Sequence, residues 1–132
     1  MTTENMILIV DDEDIVLESC RRVLEADGFE VTLASSAEEA LEIMKHRLPV
    51  ALLMDIKMPE RDGIYLMERI RKKWLEIPVI VMTGYPTSET IAEAAMMGAA
   101  TLISKPFTPD ELVETVSRVL KNEIKPVFLS GG

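Results

Sequence analysis

The 132-residue sequence has little of several features that direct a chain to particular classes of protein. Its one cysteine, Cys20, cannot form an internal disulfide, which fits a reducing compartment. No apolar run approaches the ~20 residues of a membrane span. The first residues, Met1 to Asn5, lack the basic start of a signal peptide. The 14 basic residues are outnumbered by 23 acidic ones, and the resulting net charge of −9 argues against direct nucleic-acid binding. We therefore expect a cytoplasmic protein with no membrane or nucleic-acid partner.

The remaining composition and pattern indicate one α/β domain. Hydrophobic residues make up 48% of the chain, enough for a core, and a chain of this length buries roughly two-thirds of its unfolded surface. Apolar runs predict strands at about 6–10, 30–34, 50–54, 78–82 and 101–104. Helical patterns between them predict five helices. The first covers about 14–26, the second starts at 35 or 36, and the third ends at about 73. The fourth covers about 89–97 and the fifth runs from 109 to about 121. Such alternation predicts a doubly wound parallel sheet with right-handed crossovers.

The sequence leaves two boundaries open. The second helix has two possible starts, because Ser36 with Glu39 and Ser35 with Glu38 both match the capping-box pattern. The domain is expected to cover 1–123, and 124–132 has no clear pattern, which suits a C-terminal tail or the remnant of a linker.

Four charged side chains and one threonine follow the ends of the predicted strands. Asp11 and Asp12 follow the first strand, Asp55 the third, Thr83 the fourth and Lys105 the fifth. The carboxyl ends of parallel strands share one edge of a sheet, where ligands bind in open α/β folds. Carboxylates crowded there repel one another unless a cation joins them. A cluster of hard oxygen ligands suits magnesium.

This set contains the parts needed to transfer a phosphoryl group to a carboxylate. We predict that Asp55 is the nucleophile, because a carboxylate can form an aspartyl-phosphate. Asp12 and Asp55 are expected to bind Mg²⁺ (or Mn²⁺) directly, and Asp11 through water. Lys105 would supply a positive charge and Thr83 a hydroxyl donor for the phosphoryl oxygens, since such transfer depends on positioning and charge neutralisation.

At these residues the sequence resembles the receiver domain of two-component response regulators, of the chemotaxis-regulator type. The resemblance covers about Met6 to Asn122. The matching elements, in chain order, are Asp11-Asp12, Asp55, Met58-Pro59, Asp62-Gly63, Thr83-Gly84 and Lys105-Pro106-Phe107.

The resemblance implies a flavodoxin-like (βα)5 fold with sheet order 2-1-3-4-5. It implies a bacterial phosphorelay in which a sensor histidine kinase or histidine phosphotransfer protein phosphorylates Asp55. It also implies that the backbone carbonyl of Lys57 completes the metal site and that the Lys105-Pro106 bond is cis. The domain would be a signalling switch that catalyses its own phosphorylation and slow dephosphorylation, not an enzyme acting on other substrates. Its helix 4, strand 5 and helix 5 face would bind a partner or form a dimer.

Three positions depart from the family pattern or tune it. Leu102 occupies the place where many receivers have an aromatic residue that rotates inward on activation. Lys57 and Tyr85, two residues after Asp55 and two after Thr83, occupy positions that influence dephosphorylation in the family. Both are bulky, and we expect them to slow hydrolysis of the phosphorylated form.

Two alternatives belong to other classes. A degenerate receiver would act only as a protein-interaction module; Leu102 favours it weakly and the intact acidic set opposes it. A phosphatase of the haloacid dehalogenase type needs a second Asp two residues after the nucleophile, and Lys57 stands there. A nucleotide-binding fold is weaker still, because no glycine-rich phosphate loop follows the first strand.

Overall fold

A single five-stranded sheet organises the chain. The structure, a computed structural model, describes residues 5–58 and 62–121. The strands are β1 (Met6–Val10), β2 (Glu30–Ala34), β3 (Ala51–Asp55), β4 (Val79–Thr83) and β5 (Thr101–Ser104), and the helices are α1 (Asp14–Ala26), α2 (Ala37–His46), α3 (Asp62–Lys73), α4 (Ser88–Met96) and α5 (Pro109–Leu120). All strand pairs are parallel, in the order β2-β1-β3-β4-β5. This confirms the predicted flavodoxin-like fold.

The sheet has a hydrophobic cluster on each face. Helices α1 and α5 pack on one face, and α2, α3 and α4 on the other. Side chains of β1 alternate between the two clusters: Ile7 and Ile9 point toward α1 and α5, and Leu8 and Val10 toward α2 and α3. Because both faces are covered, β1, β3 and β4 are buried throughout, and this explains their uninterrupted apolar sequences.

The structure shows which of the two serines caps α2. Ser36 is the cap residue, and its hydroxyl accepts a hydrogen bond from the Glu39 amide at 3.1 Å. The Glu39 carboxylate reaches back to the amide of Ser35 at 2.6 Å. Both serines therefore take part in satisfying the free amides at this helix start.

Two strands extend one residue beyond their predicted ends. Asp55 and Thr83 are the last residues of β3 and β4, not the first residues after them, because they pair with Met82 and Ser104 of the neighbouring strands. The predicted 124–132 tail lies outside the described residues. Within 5–58 and 62–121, no helix is long and apolar enough to cross a membrane.

Candidate functional site

Lys105 joins two carboxylates at the carboxyl edge, the edge at which all five strands end. Its ammonium donates hydrogen bonds to Asp11 Oδ2 and to Asp55 Oδ2, both at 2.9 Å. Lys105 directly follows β5, and its backbone amide donates to the Thr83 carbonyl at 2.7 Å. The Lys105-Pro106 peptide bond is cis. The strand order thus brings Asp55 and Asp11, which are 50 and 94 positions before Lys105 in the sequence, to the same ammonium nitrogen.

The two consecutive aspartates after β1 have different surroundings. Asp11 is fully buried, and its Oδ1 accepts the backbone amide of Glu13 at 2.9 Å. Asp12 is exposed. The helix α1 begins after Glu13, which forms no side-chain capping bond, so Asp12 does not cap it. Asp12 is therefore left with an exposed carboxylate at the edge.

Glu13 was missed by sequence reasoning. Its carboxylate lies 3.8 Å from the Lys105 ammonium, and its amide holds Asp11. The uninterrupted acidic sequence from Asp11 to Asp14 was the available signal, but nothing in that run shows which side chain turns toward the lysine.

Burial and pairing act in opposite directions on the charges of the site. Burial raises the pKa of Asp11, and the Glu13 amide and Lys105 only partly oppose it. For Lys105 burial acts to lower the pKa, but the hydrogen bonds to Asp55 and Asp11 together outweigh it, so the pKa is raised above 10.5. Lys105 is therefore held as a permanent positive charge between the carboxylates.

The acidic residues fit a divalent cation. Carboxylate oxygens of Asp11, Asp12 and Asp55 all lie within 4.8 Å of one another. Three carboxylates and one ammonium, when ionised, leave an excess of two negative charges, which a divalent cation would balance. All three offer the hard oxygen ligands that magnesium prefers. The Lys57 amide donates to Asp55 Oδ1 at 2.8 Å, so the loop after β3 folds back onto this carboxylate.

Thr83 is tied to the loop that leads into α4. Its side chain is buried, and its Oγ1 accepts the backbone amide of Tyr85 at 3.0 Å. The Tyr85 side chain is 72% exposed. With Lys57 it lines a depression of about 320 Å³ beside the site, together with Thr87, Glu89, Thr90 and Glu93. This loop therefore has a direct hydrogen bond to the predicted phosphate-contacting hydroxyl.

Leu102 lies in β5, away from the carboxylates. It is partly buried and packs against the cluster beneath α4. It also lines an apolar groove of about 260 Å³ between α4 and β5, along with Ile91 and Ala94. A leucine here has no polar tip to alternate between core and solvent.

Comparison with known proteins gives the family. The model of the response regulator receiver domain matches residues 7–117. The chain belongs to this family. It is 42% identical over 121 residues to regulatory protein AtoC of Escherichia coli, covering 92% of this chain and 26% of AtoC. It is 32% identical over 114 residues to response regulator SaeR of Staphylococcus aureus, covering 86% of this chain and 50% of SaeR. The chain thus spans between a quarter and a half of these curated relatives.

Solved structures agree with this assignment. A CheY-like response regulator receiver domain protein from Methanospirillum hungatei superimposes with a TM-score of 0.84 at 33% identity, covering 91% of this chain and 96% of that one. NtrX from Brucella abortus gives 0.85 at 32% identity, covering 91% of this chain and 28% of NtrX. The predicted family and fold are confirmed.

Proposed function

We propose that this receiver domain accepts a phosphoryl group on Asp55 and works as a phosphorylation switch. The donor would be the phosphohistidine of a sensor histidine kinase or of a histidine phosphotransfer protein. The observation that carries the proposal is the Lys105 ammonium, 2.9 Å from both Asp11 and Asp55 at the carboxyl edge. This arrangement places the Asp55 carboxylate beside a fixed positive charge, which suits a nucleophile attacking an anionic phosphoryl group.

The transfer needs few steps from the protein. A carboxylate oxygen of Asp55 attacks phosphorus and forms a P–O bond while the P–N bond to the donor imidazole breaks. The electron pair of the P–N bond stays on the leaving nitrogen, and the proton already on the other ring nitrogen makes the departing imidazole neutral. Lys105 shifts its hydrogen bond from Asp55 to a phosphoryl oxygen. Asp12 and Asp55 would hold Mg²⁺ (or Mn²⁺) directly, Asp11 through water, and the Lys57 carbonyl would complete the set. When bound, the metal supplies charge neutralisation on the phosphoryl oxygens.

The switch would run through the loop before α4. The Thr83 hydroxyl donates a hydrogen bond to the new phosphoryl group, and its movement loosens the 3.0 Å bond from the Tyr85 amide. The loop then rearranges and changes the face formed by α4, β5 and α5, where Ile91 is about half exposed. Since Leu102 cannot perform the aromatic rotation, we expect the signal to pass through this backbone link. The altered face would bind a partner or a second copy.

Lys57 and Tyr85 would set the lifetime of the phosphorylated state. Both line the depression between the loops that follow β3 and β4, and both side chains are exposed. We expect the double variant Lys57→Ala, Tyr85→Ala to lose its phosphoryl group several-fold faster, because water reaches the phosphorus more easily. A matched control, Lys72→Ala, Tyr65→Ala, changes the same residue types on α3. Equal rates of phosphate loss in the two double variants would count against this role.

The proposal is tested by the intact mass of the protein after incubation with acetyl phosphate and magnesium, with Asp55→Asn in parallel. We expect a magnesium-dependent gain of one phosphoryl group in the parent and none in the variant. No gain in the parent under any condition would favour the degenerate interaction module instead.

A further inference from the structure

A second charged surface lies at the amino edge, the edge at which the strands begin and where α3 and α4 end. Four of the chain's 14 lysines and arginines fall within five residues at the end of α3, and all four are exposed. They are Arg69, Arg71, Lys72 and Lys73. This positive cluster is unusual on a chain whose net charge is −9.

The four basic side chains differ from several other surface cations in forming no ion pair among the described residues. Arg21, Lys45 and Arg118 each form an ion pair with a glutamate on the same helix. Within 5–58 and 62–121, no such pair is formed by any of the four. The helix dipole explains why cations gather at a helix end. Glu68 and Glu76 flank the cluster in sequence, but among the described residues neither forms an ion pair with it.

Apolar side chains are exposed beside this positive charge. The Arg71 guanidinium reaches from α3 to the last turn of α4 and donates to the Met96 carbonyl at 3.4 Å. Met96 itself is 83% exposed, and Leu75, just after α3, is 70% exposed. The Lys73 ammonium lies 5.4 Å from the centre of the Trp74 ring. We call Arg71, Lys72, Lys73, Leu75 and Met96 the basic–apolar patch.

We propose that the basic–apolar patch docks an acidic, amphipathic peptide segment of a partner protein. Carboxylates of such a segment complement the unpaired cations, and its apolar side chains cover Leu75 and Met96. An extended anionic surface, such as a bilayer or a nucleic acid, would also face the acidic remainder of the chain. That remainder repels it wherever it comes within the Debye length of about 8 Å. A short acidic segment covers the patch without extending over most of that remainder.

The patch and the phosphoacceptor are separated by the length of the sheet. Docking at the amino edge uses none of the residues that hold Asp55. We therefore expect Asp55→Asn to bind the segment as the parent does. If the segment failed to bind, the proposal that Asp55 is phosphorylated would be unaffected.

The test uses a fluorescently labelled amphipathic peptide with glutamate at its polar positions and leucine and phenylalanine at its apolar positions. Binding is followed by anisotropy, and its location by NMR shifts of the Trp74 indole N–H and the Met96 methyl. Arg71→Glu, Lys72→Glu reverses the charge of the patch. The control Arg22→Glu, Lys121→Glu makes the same change of net charge at exposed positions elsewhere. Urea unfolding of each variant shows that it is folded.

We expect the parent and the control to bind alike and the patch variant to bind at least about tenfold more weakly, with affinity falling as salt is added. Absence of binding to the parent would overturn the proposal, as would equal binding by the two double variants. Tighter binding to phosphatidylglycerol vesicles or to duplex DNA than to the peptide would also overturn it, in favour of those surfaces.

Discussion

The two edges of the sheet use the same kinds of charged residue in different ways. At the carboxyl edge, opposite charges converge: Lys105 is 18% exposed and bonds two carboxylates, one of them fully buried. At the amino edge, like charges such as Arg71 and Lys72 are exposed, with no acidic partner among the described residues. Burial decides how much each charge depends on a partner. A desolvated charge is costly without one, whereas an exposed charge is screened by water and salt. The carboxyl edge is therefore suited to chemistry and the amino edge to recognition.

Removing one lysine from each edge should give the largest difference. Lys105→Met leaves Asp11 and Asp55 facing each other without a cation, and we expect a loss of about 3 kcal/mol in the free energy of unfolding at neutral pH without magnesium. Lys72→Met, the same change on the exposed surface, should alter it by less than about 0.5 kcal/mol. Urea denaturation measures both.

Added magnesium sharpens this comparison. It should restore part of the stability of Lys105→Met, because the cation replaces the missing positive charge, and should leave the difference between Lys72→Met and the parent unchanged. Similar losses in the two variants would show that burial does not separate the edges.

Glycine substitutions test how closely each edge is packed. A methyl group at Gly63 would lie 2.6 Å from the backbone oxygen of Ile56, next to Asp55. We expect Gly63→Ala to cost about 2 kcal/mol because backbone must move. At the amino edge, a methyl group at Gly98 would meet the flexible end of Arg71, and its φ of +86° adds strain; Gly98→Ala should cost about 1 kcal/mol.

Gly84→Ala is the control for both changes, because a methyl group there has no atom within 4 Å. Its melting temperature should stay close to that of the parent. A ranking with Gly84→Ala as the most damaging change would contradict the packing described at the carboxyl edge.

The pH dependence of stability should give a smaller difference, confined to the carboxyl edge. Because the pKa of Asp11 is raised in the folded protein, its protonated form contributes stability at low pH that is lost as the pH rises from 3.8 through the folded value. Asp11→Asn removes this titration. Measured by urea unfolding without magnesium, the stability of Asp11→Asn relative to the parent should rise with pH across that window. A constant or falling difference would mean that burial does not dominate at Asp11.

Much of this fold follows from the sequence for physical reasons. Strands covered on both faces need continuous apolar side chains, so β1, β3 and β4 were recognisable without their neighbours. The predicted start of α5 at residue 109 is likewise correct, because Pro109 begins the helix; the structure adds the reciprocal capping box between Thr108 and Glu111. The carboxylates and the lysine could be assigned to one edge because parallel strands all end there.

The features that could not be predicted depend on contacts between residues distant in the sequence. The strand ends at Asp55 and Thr83 are set by pairing with adjacent strands, which local pattern does not contain. Arg71 reaches a carbonyl 25 residues away, and neither partner carries a local signal. The hydrogen bond from the Tyr85 amide to Thr83 could not be predicted for another reason: every residue except proline has a backbone N–H, so the residue type does not indicate which one donates.

The position of the acyl phosphate tests most directly whether Asp55 is the nucleophile. The protein is phosphorylated with acetyl phosphate and magnesium, treated with hydroxylamine, which converts an aspartyl-phosphate into a hydroxamate, and digested for peptide mass spectrometry. We expect the hydroxamate at Asp55. A hydroxamate at Asp12 or at another carboxylate, with Asp55 unmodified, would contradict the assignment of the nucleophile.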